Sequence, residues 1–553
     1  MTLGGRCFGW ALLVSTVSLA AAIVAATAQA AGPGSQQTAQ RVDRLLADEL
    51  FKSDSNLAPR TDDATFLRRV WLDIVGDIPT PEHVTAFLLD SSGDKRERIV
   101  RELLNNEQYG QNWARYWRDV IFSRKLEERA EVAANAMVAD LTRELNDNVG
   151  WDKIATAFIT ATGDVKENGA AAIQMAQDGR TEETTAEMSR IFLGIQIQCA
   201  QCHDHKTDRW KREQFHELAA FFPRVGVSPV QTPTRNSFEV VVNPGVERRR
   251  GNPDNANRRG RPEHFMPDLE RPTADGTLMQ PKFFLTNKSL PLGTPDAVRR
   301  GTLAEWISDN PWFATALVNR MWGELVGEGF YEPIDDMGPD RTPNGKKAVE
   351  FLSRSFAESD FDVKWLFRVI CATEAYQRES RPRRGSEGTP FAANVAQPLR
   401  SDQMFNALLT AADLTEADVS PAGRGRRGGP AGPRRGGGSG RQQFDATFGY
   451  DPSDPRDTVS GSIPQALAMM NGPRINQVAR AQTRGTALGQ LVDEITDDEA
   501  LVVELYLRTL SRQPTDVEMK TSLAFRRTVA QRPAAFEDVF WALLNTAEFS
   551  HRR

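Results

Sequence analysis

Apolar residues return at helical intervals through most of this chain, and cap and stop residues punctuate the segments that carry them. In Phe66-Leu67-Arg68-Arg69-Val70-Trp71-Leu72-Asp73-Ile74-Val75-Gly76, the residues Leu67, Val70, Trp71 and Ile74 keep the 3.6-residue period and Gly76 supplies a stop. Helical patterns run from Val42 to Phe51, around His83 to Leu89 after the break at Pro79-Thr80-Pro81, and from Arg96 to Leu104. Trp113, Tyr116 and Trp117 form an aromatic helix face whose expected role is core packing. Asn310-Pro311 opens a further helix, on which Phe313, Leu317, Met321 and Leu325 recur at four-residue spacing until Gly327. Helices return from Pro464 to Met470, Leu501 to Leu510 and Phe536 to Phe549. No repeat of 20 to 50 residues and no strand-helix-strand alternation interrupts this pattern, so solenoids and doubly wound sheets are excluded. The expected fold class is mainly α.

The periodicity fails in two places. Residues 224–297 are rich in Pro, Asn and Arg, carry Arg248-Arg249-Arg250, and show only short strand-like pieces such as Phe238-Glu239-Val240-Val241-Val242. They read as a long irregular connection between a helical domain over 31–223 and another over 298–553. Within the second domain, residues 421–443 are an Arg/Gly tract that has no apolar face to bury and is expected to be disordered. No aromatic residue is interleaved with its arginines, so it reads as a solvated insertion. The formal net charge of −6 over 553 residues provides no global positive excess for a phosphate backbone, and no nucleic-acid partner is expected.

The N-terminus reads as an export signal. Arg6 precedes a mostly apolar, alanine-rich run from Trp10 to Ala26, which leads into the small-x-small site Ala28-Gln29-Ala30. Cleavage after Ala30 leaves no later run long enough to span a membrane, and places the protein in the periplasm or on the cell surface. Three cysteines then remain. Cys371 sits in an apolar helical stretch and reads as a buried, inert thiol, which leaves Cys199 and Cys202 as a pair.

That pair belongs to Cys199-Ala200-Gln201-Cys202-His203, a C-x-x-C-H run of the kind that attaches c-type haem. Two thiols three positions apart suit thioether bonds to two vinyl groups of one porphyrin, and the adjoining His203 suits the proximal iron position. Thr184 and Glu187 read as a capping box for a helix carrying Met188, Ile191, Phe192 and Ile195 on one face, with the cysteines at its end. Asp208 reads as the cap of a following helix with Phe215, Leu218, Ala219 and Phe222, so that haem is expected between apolar faces. Three other chemistries stay open. Zinc is the main alternative, using Cys199 and Cys202 with His203, His205 and Asp208 as available ligands; a dithiol redox pair and a plain disulfide are the others. Met175, Met188, His264 and Met266 provide no clear distal iron ligand, and the adjacent acids Asp335 and Asp336 read as a solvated turn.

The run from Ile195 to His205, continued by Asp208-Arg209-Trp210, Phe215 and Leu218-Ala219-Ala220-Phe221-Phe222, resembles the planctomycete cytochrome c domain, a domain of unknown function. Leu67 to Asp73, Tyr109-Gly110, Trp113, Trp117 and Asp119 resemble its N-terminal half. Leu303-Ala304-Glu305-Trp306, Val318-Asn319-Arg320-Met321-Trp322, Ser462 to Leu467 and Trp541 to Phe549 resemble the companion domain of unknown function that usually follows it. The resemblance implies an exported helical protein whose first half carries the haem motif. The expected function is an exported c-type haem-binding protein, with one-electron transfer outside the cytoplasm to an unidentified redox or surface partner. The alternative is a non-redox exported scaffold or surface protein with a Cys/His zinc site.

Overall fold

Many helix boundaries follow the local signals, although the stretch read as one helix from Phe536 to Phe549 is two, Arg532–Leu544 and Ala547–Ser550, with Thr546 capping the second. The computed structural model describes residues 34–53, 55–230, 237–243, 262–271, 273–382, 388–419, 440–454, 462–472, 478–481 and 486–553. The leader read in residues 1–30 and the Arg/Gly tract up to residue 439 lie outside them. Helix Asp63–Val75 starts on Asp62, whose carboxylate accepts the Thr65 amide, and stops at Gly76 with φ of 71°. Asn106 caps Glu107–Phe122 and Asn310 caps Pro311–Val326, each accepting an amide two residues on, and Gly327 ends the second at φ of 96°. Each such cap satisfies an amide that the helix leaves unpaired, a contribution of about 1 kcal/mol.

The aromatic face of Glu107–Phe122 is core, as its spacing requires. Trp117 stacks on Trp151 with centroids 4.7 Å apart, and the buried Trp113 donates its indole N–H to the Asp73 carbonyl at 3.1 Å. Cys371 is also buried, and burial pushes its thiol well above the usual range, so it is held as the neutral thiol.

Among its described residues the connection carries short strands that pair antiparallel. Phe238–Val242 is a strand, as its composition suggests, and lies between Gly163–Asp164 and Val225–Pro229. His264–Met266 pairs with Thr277–Met279. The apolar core does not divide where the connection lies. One cluster takes Phe66, Trp117 and Phe192 from before it and Trp322, Phe356 and Phe367 from after it. Helix Pro311–Val326 packs on Thr181–Leu193, and Asp296–Ser308 packs on Trp151–Thr160. A second cluster joins Leu72 and Ile78 to Leu408, Leu505, Phe536, Phe540 and Leu544.

Buried ion pairs stitch the same surfaces. The Asp73 carboxylate accepts Arg552 at 2.6 Å and the Tyr376 hydroxyl at 2.8 Å, so the last residues of the chain close on an early helix. Such pairs are costly to desolvate, and more costly to break than to keep. The Arg/Gly tract also ends earlier than its composition suggests, because residues 440–443 begin helix Gly440–Phe448. Phe444 and Phe448 stack at 4.3 Å and Arg441 lies 4.5 Å over the Phe405 ring, which supplies the packing that the tract lacks.

Candidate functional site

The helix before the cysteines is Thr181–Leu193, and it starts three residues ahead of the capping box read at Thr184 and Glu187. Thr184 donates its hydroxyl to the Gln174 side chain at 3.3 Å instead. Glu187 accepts Arg190 Nε at 3.1 Å and Nη2 at 2.6 Å, because a buried guanidinium is a stronger claim on a carboxylate than a helix amide. Arg190 also donates to the Val120 carbonyl at 2.9 Å and to Asp335 at 3.0 Å.

The cysteines are not on that helix. Gly194, at φ of 65°, ends it, and a Cβ there would lie 2.6 Å from the Met337 Cε. The chain then passes the buried Ile195 and Ile197 into a 3-10 turn, Gln198–Gln201. Ala200 is 0 % exposed and donates its amide to the Ile197 carbonyl at 2.9 Å, so it pins the turn from below. Cys199 and Cys202 face outward, exposed and bonded to no other cysteine.

His203 is exposed beside them, with its Nδ1 2.7 Å from the Asp204 carbonyl oxygen. A carbonyl only accepts, so Nδ1 carries the proton and Nε2 keeps its lone pair for a metal. Asp204, not Asp208, holds the start of helix Arg212–Ala219: its carboxylate accepts the Arg212 amide at 3.0 Å and Lys211 Nζ at 2.9 Å. These two donors hold it below the usual carboxylate range. Asp208 instead meets Arg341 at 3.2 Å, while its amide donates to His205 Nδ1 at 3.0 Å. His205 and Asp208 therefore share one loop, and Cys199, Cys202 and His203 share the turn. Among the described residues no group of three or more Cys, His, Asp or Glu side chains converges as a metal site.

Beneath the turn lies a pair that sequence reading missed. His216, on Arg212–Ala219, is 2.8 Å through Nδ1 from His264 Nε2 and 3.0 Å through Nε2 from the carbonyl of Gln201, inside the pentapeptide. The Gln201 carbonyl requires His216 Nε2 to be the donor, which leaves His216 Nδ1 to accept from His264. Both rings are buried, and burial pushes them down, His216 to about 4 and His264 to about 3. His264 is thus firmly held on a strand, although the connection around it is irregular. No local signal in the sequence pairs two histidines 48 positions apart.

Asp335 is a second correction. It is 1 % exposed, where a solvated turn was the expectation, and accepts Gln196 at 2.8 Å as well as Arg190. Asp336 turns away to Arg341 at 2.9 Å, so the two acids share no substrate face.

The donor set suits covalent haem: two accessible thiols and an imidazole with Nε2 available, on a turn fixed by buried neighbours. The apolar clamp is a different matter. Met188, Ile191, Phe192, Ile195, Phe215 and Leu218 are all buried in the protein's own core, and the residues flanking the thiols, Gln198 and Asp204, are polar and exposed. The helical faces read as haem-clamping are already filled by protein.

Two family models match the chain in N- to C-terminal order. Residues 41–226 match PSCyt2, a protein of unknown function (DUF1549), and residues 299–427 match PSD1, a protein of unknown function (DUF1553). The cysteine turn lies within the first match. No curated protein and no solved structure matches the chain.

Proposed function

We propose that this chain, a PSCyt2 domain followed by a PSD1 domain, is an exported c-type haem protein that passes single electrons outside the cytoplasm. Cys199 and Cys202 are the thioether anchors and His203 the proximal ligand. The observation that carries the reading is the outward presentation of all three side chains on one pinned turn, with the His203 proton committed to the Asp204 carbonyl. The cytochrome-like label of the first domain and the leader read in residues 1–30 support it. When bound, haem supplies a one-electron iron couple, which no side chain here supplies by itself.

The chain's own part is positional. Ile197 and Ala200 hold the turn from the core side, and Asp204 orients His203 and fastens the next helix through Arg212. Through the Gln201 carbonyl, His216 braces the middle of the pentapeptide. An exposed site suits exchange with a docked redox partner. Among the described residues no helix is long and apolar enough to cross a membrane.

The test is expression of the full chain with its leader in a host that carries haem-ligation machinery. A mass increase of one haem, haem staining on a denaturing gel, and loss of both in Cys199→Ala/Cys202→Ala are expected. A colourless protein without added porphyrin overturns the reading; stoichiometric zinc in that protein would select the Cys199, Cys202, His203, His205 and Asp208 alternative.

A further inference from the structure

Helix Glu107–Phe122 buries its aromatic face and turns another, carrying Gln111, Arg115, Arg118 and Asp119, into a cleft of about 990 Å³. Helices Ala134–Asn146 and Gly440–Phe448 supply further walls. A cleft of that volume is at the upper end of the range of about 300–1,000 Å³ that takes small ligands.

The charged groups lining this cleft are matched with one exception among the described residues. Arg118 donates to Asp119 at 2.6 Å and reaches Asp445 at 3.4 Å. Arg441 meets Glu416 at 3.1 Å, and its Nη2 donates to Asn406 at 2.7 Å. Lys125 lies 3.0 Å from Glu131 and 3.6 Å from Glu128, and Arg124 lies 2.7 Å from Asp451. The Arg115 side chain forms no hydrogen bond or ion pair with any described residue, although it is partly buried. The carboxylates whose charge it feels, Asp402 and Glu416, are already engaged by Arg400 and Arg441. Burial, with Arg441 and Arg118 nearby, pushes its guanidinium below the ordinary value. Sequestering a guanidinium whose nearest carboxylates are engaged by other arginines is unfavourable unless a hydrogen-bonding partner arrives from outside.

We propose that this cleft binds a small, hydroxylated organic anion, with the guanidinium of Arg115 as the anchor for its carboxylate or ester-linked oxyanion. A guanidinium fork matches two oxygens of a carboxylate, sulfate or phosphate. Gln111, Asn135 and Thr142 line the same cleft and provide uncharged hydrogen-bonding groups for hydroxyls on the rest of the ligand. This site is independent of the haem reading, since none of its residues lies in the pentapeptide.

Titration calorimetry of the purified full chain with glucuronate, inorganic sulfate and inorganic phosphate tests it. Saturable one-site binding of at least one probe is expected, weakened at least tenfold by Arg115→Gln and unchanged by Arg101→Gln, an exposed control on helix Lys95–Leu104. Preference for glucuronate assigns a carboxylate ligand, and preference for sulfate or phosphate assigns the corresponding ester. Without ligand, Arg115→Gln melts at or above the wild-type temperature, since an unpaired charge has been removed. The proposal is overturned if no probe saturates, if Arg115→Gln binds as tightly as wild type, or if its melting temperature falls, which would make Arg115 structural.

Discussion

Acidification destabilises the His216–His264 pair, and the cost follows from its geometry. In the native state each ring is neutral, with one nitrogen donating and one accepting along Gln201, His216 and His264. A proton on His216 turns its Nδ1 into a donor facing the His264 donor, so the rings must part. Native pKa values of about 4 for His216 and about 3 for His264 lie below the unfolded value near 6.5. Between those limits the unfolded chain binds more protons, so this stability is complete above pH 6.5 and is lost as pH falls towards 4 and then 3. At pH 5 both rings are still neutral in the native state, so each forfeits about 2 kcal/mol and the pair about 4 kcal/mol. Asp43, raised by burial to about 7, and Asp77 and Asp119, raised to about 6, act with the opposite sign and strengthen the fold on acidification. The wild-type curve alone is therefore not diagnostic, and a difference between variants is. His264→Gln keeps an N–H donor for His216 and removes one titrating ring. Urea unfolding at pH 7 and pH 5, followed by tryptophan fluorescence, should show the variant losing about 2 kcal/mol less than wild type between the two. Equal losses in the two proteins would refute the pairing.

Two further predictions concern the surroundings of the turn. Asp335→Ala removes a buried carboxylate shared by Arg190 and Arg320 and the acceptor of Gln196, and should cost about 3–5 kcal/mol in urea unfolding, with Asp335→Asn costing less because an amide oxygen can still accept Gln196. Burial raises the Asp335 carboxyl, but Arg190, Arg320 and Arg124 outweigh it and hold it below the usual range. Its contribution should accordingly persist above about pH 4 and fade only below it. In haem-free protein, a chromogenic disulfide reagent should titrate Cys199 and Cys202 under native conditions and Cys371 only after denaturation. Native labelling of Cys371 would contradict the burial described for it.

Much of the fold can be read along the chain because its instructions are local. A cap needs a side chain two or three positions from an amide, and a stop needs a residue that tolerates positive φ. Asn310, Gly76 and Gly327 are therefore legible from their own neighbours. The pentapeptide is equally self-contained, since the order of two thiols and one imidazole is written within five positions. What local spacing does not encode is the partner of a buried charge. Glu187 had a plausible local role at a helix start, but Arg190 takes it, and Arg190 is held by Val120 and Asp335 from distant stretches.

The same physics separates the parts of the site. Its ligand types are a property of sequence order; their support, through His216 and His264, comes from two elements 48 positions apart that meet only when a strand packs on a helix. The apolar residues near the motif are recognisable as a helix face in one dimension, but which surface that face covers depends on everything else competing for it. Here neighbouring helices fill it, leaving the thiols outward and the core continuous across the irregular connection. Periodicity dictated helices and a five-residue motif fixed the order of two thiols and one imidazole, while the exposure of those groups and the pairing of the buried charges were set by long-range packing, because burial depends on which distant surfaces meet.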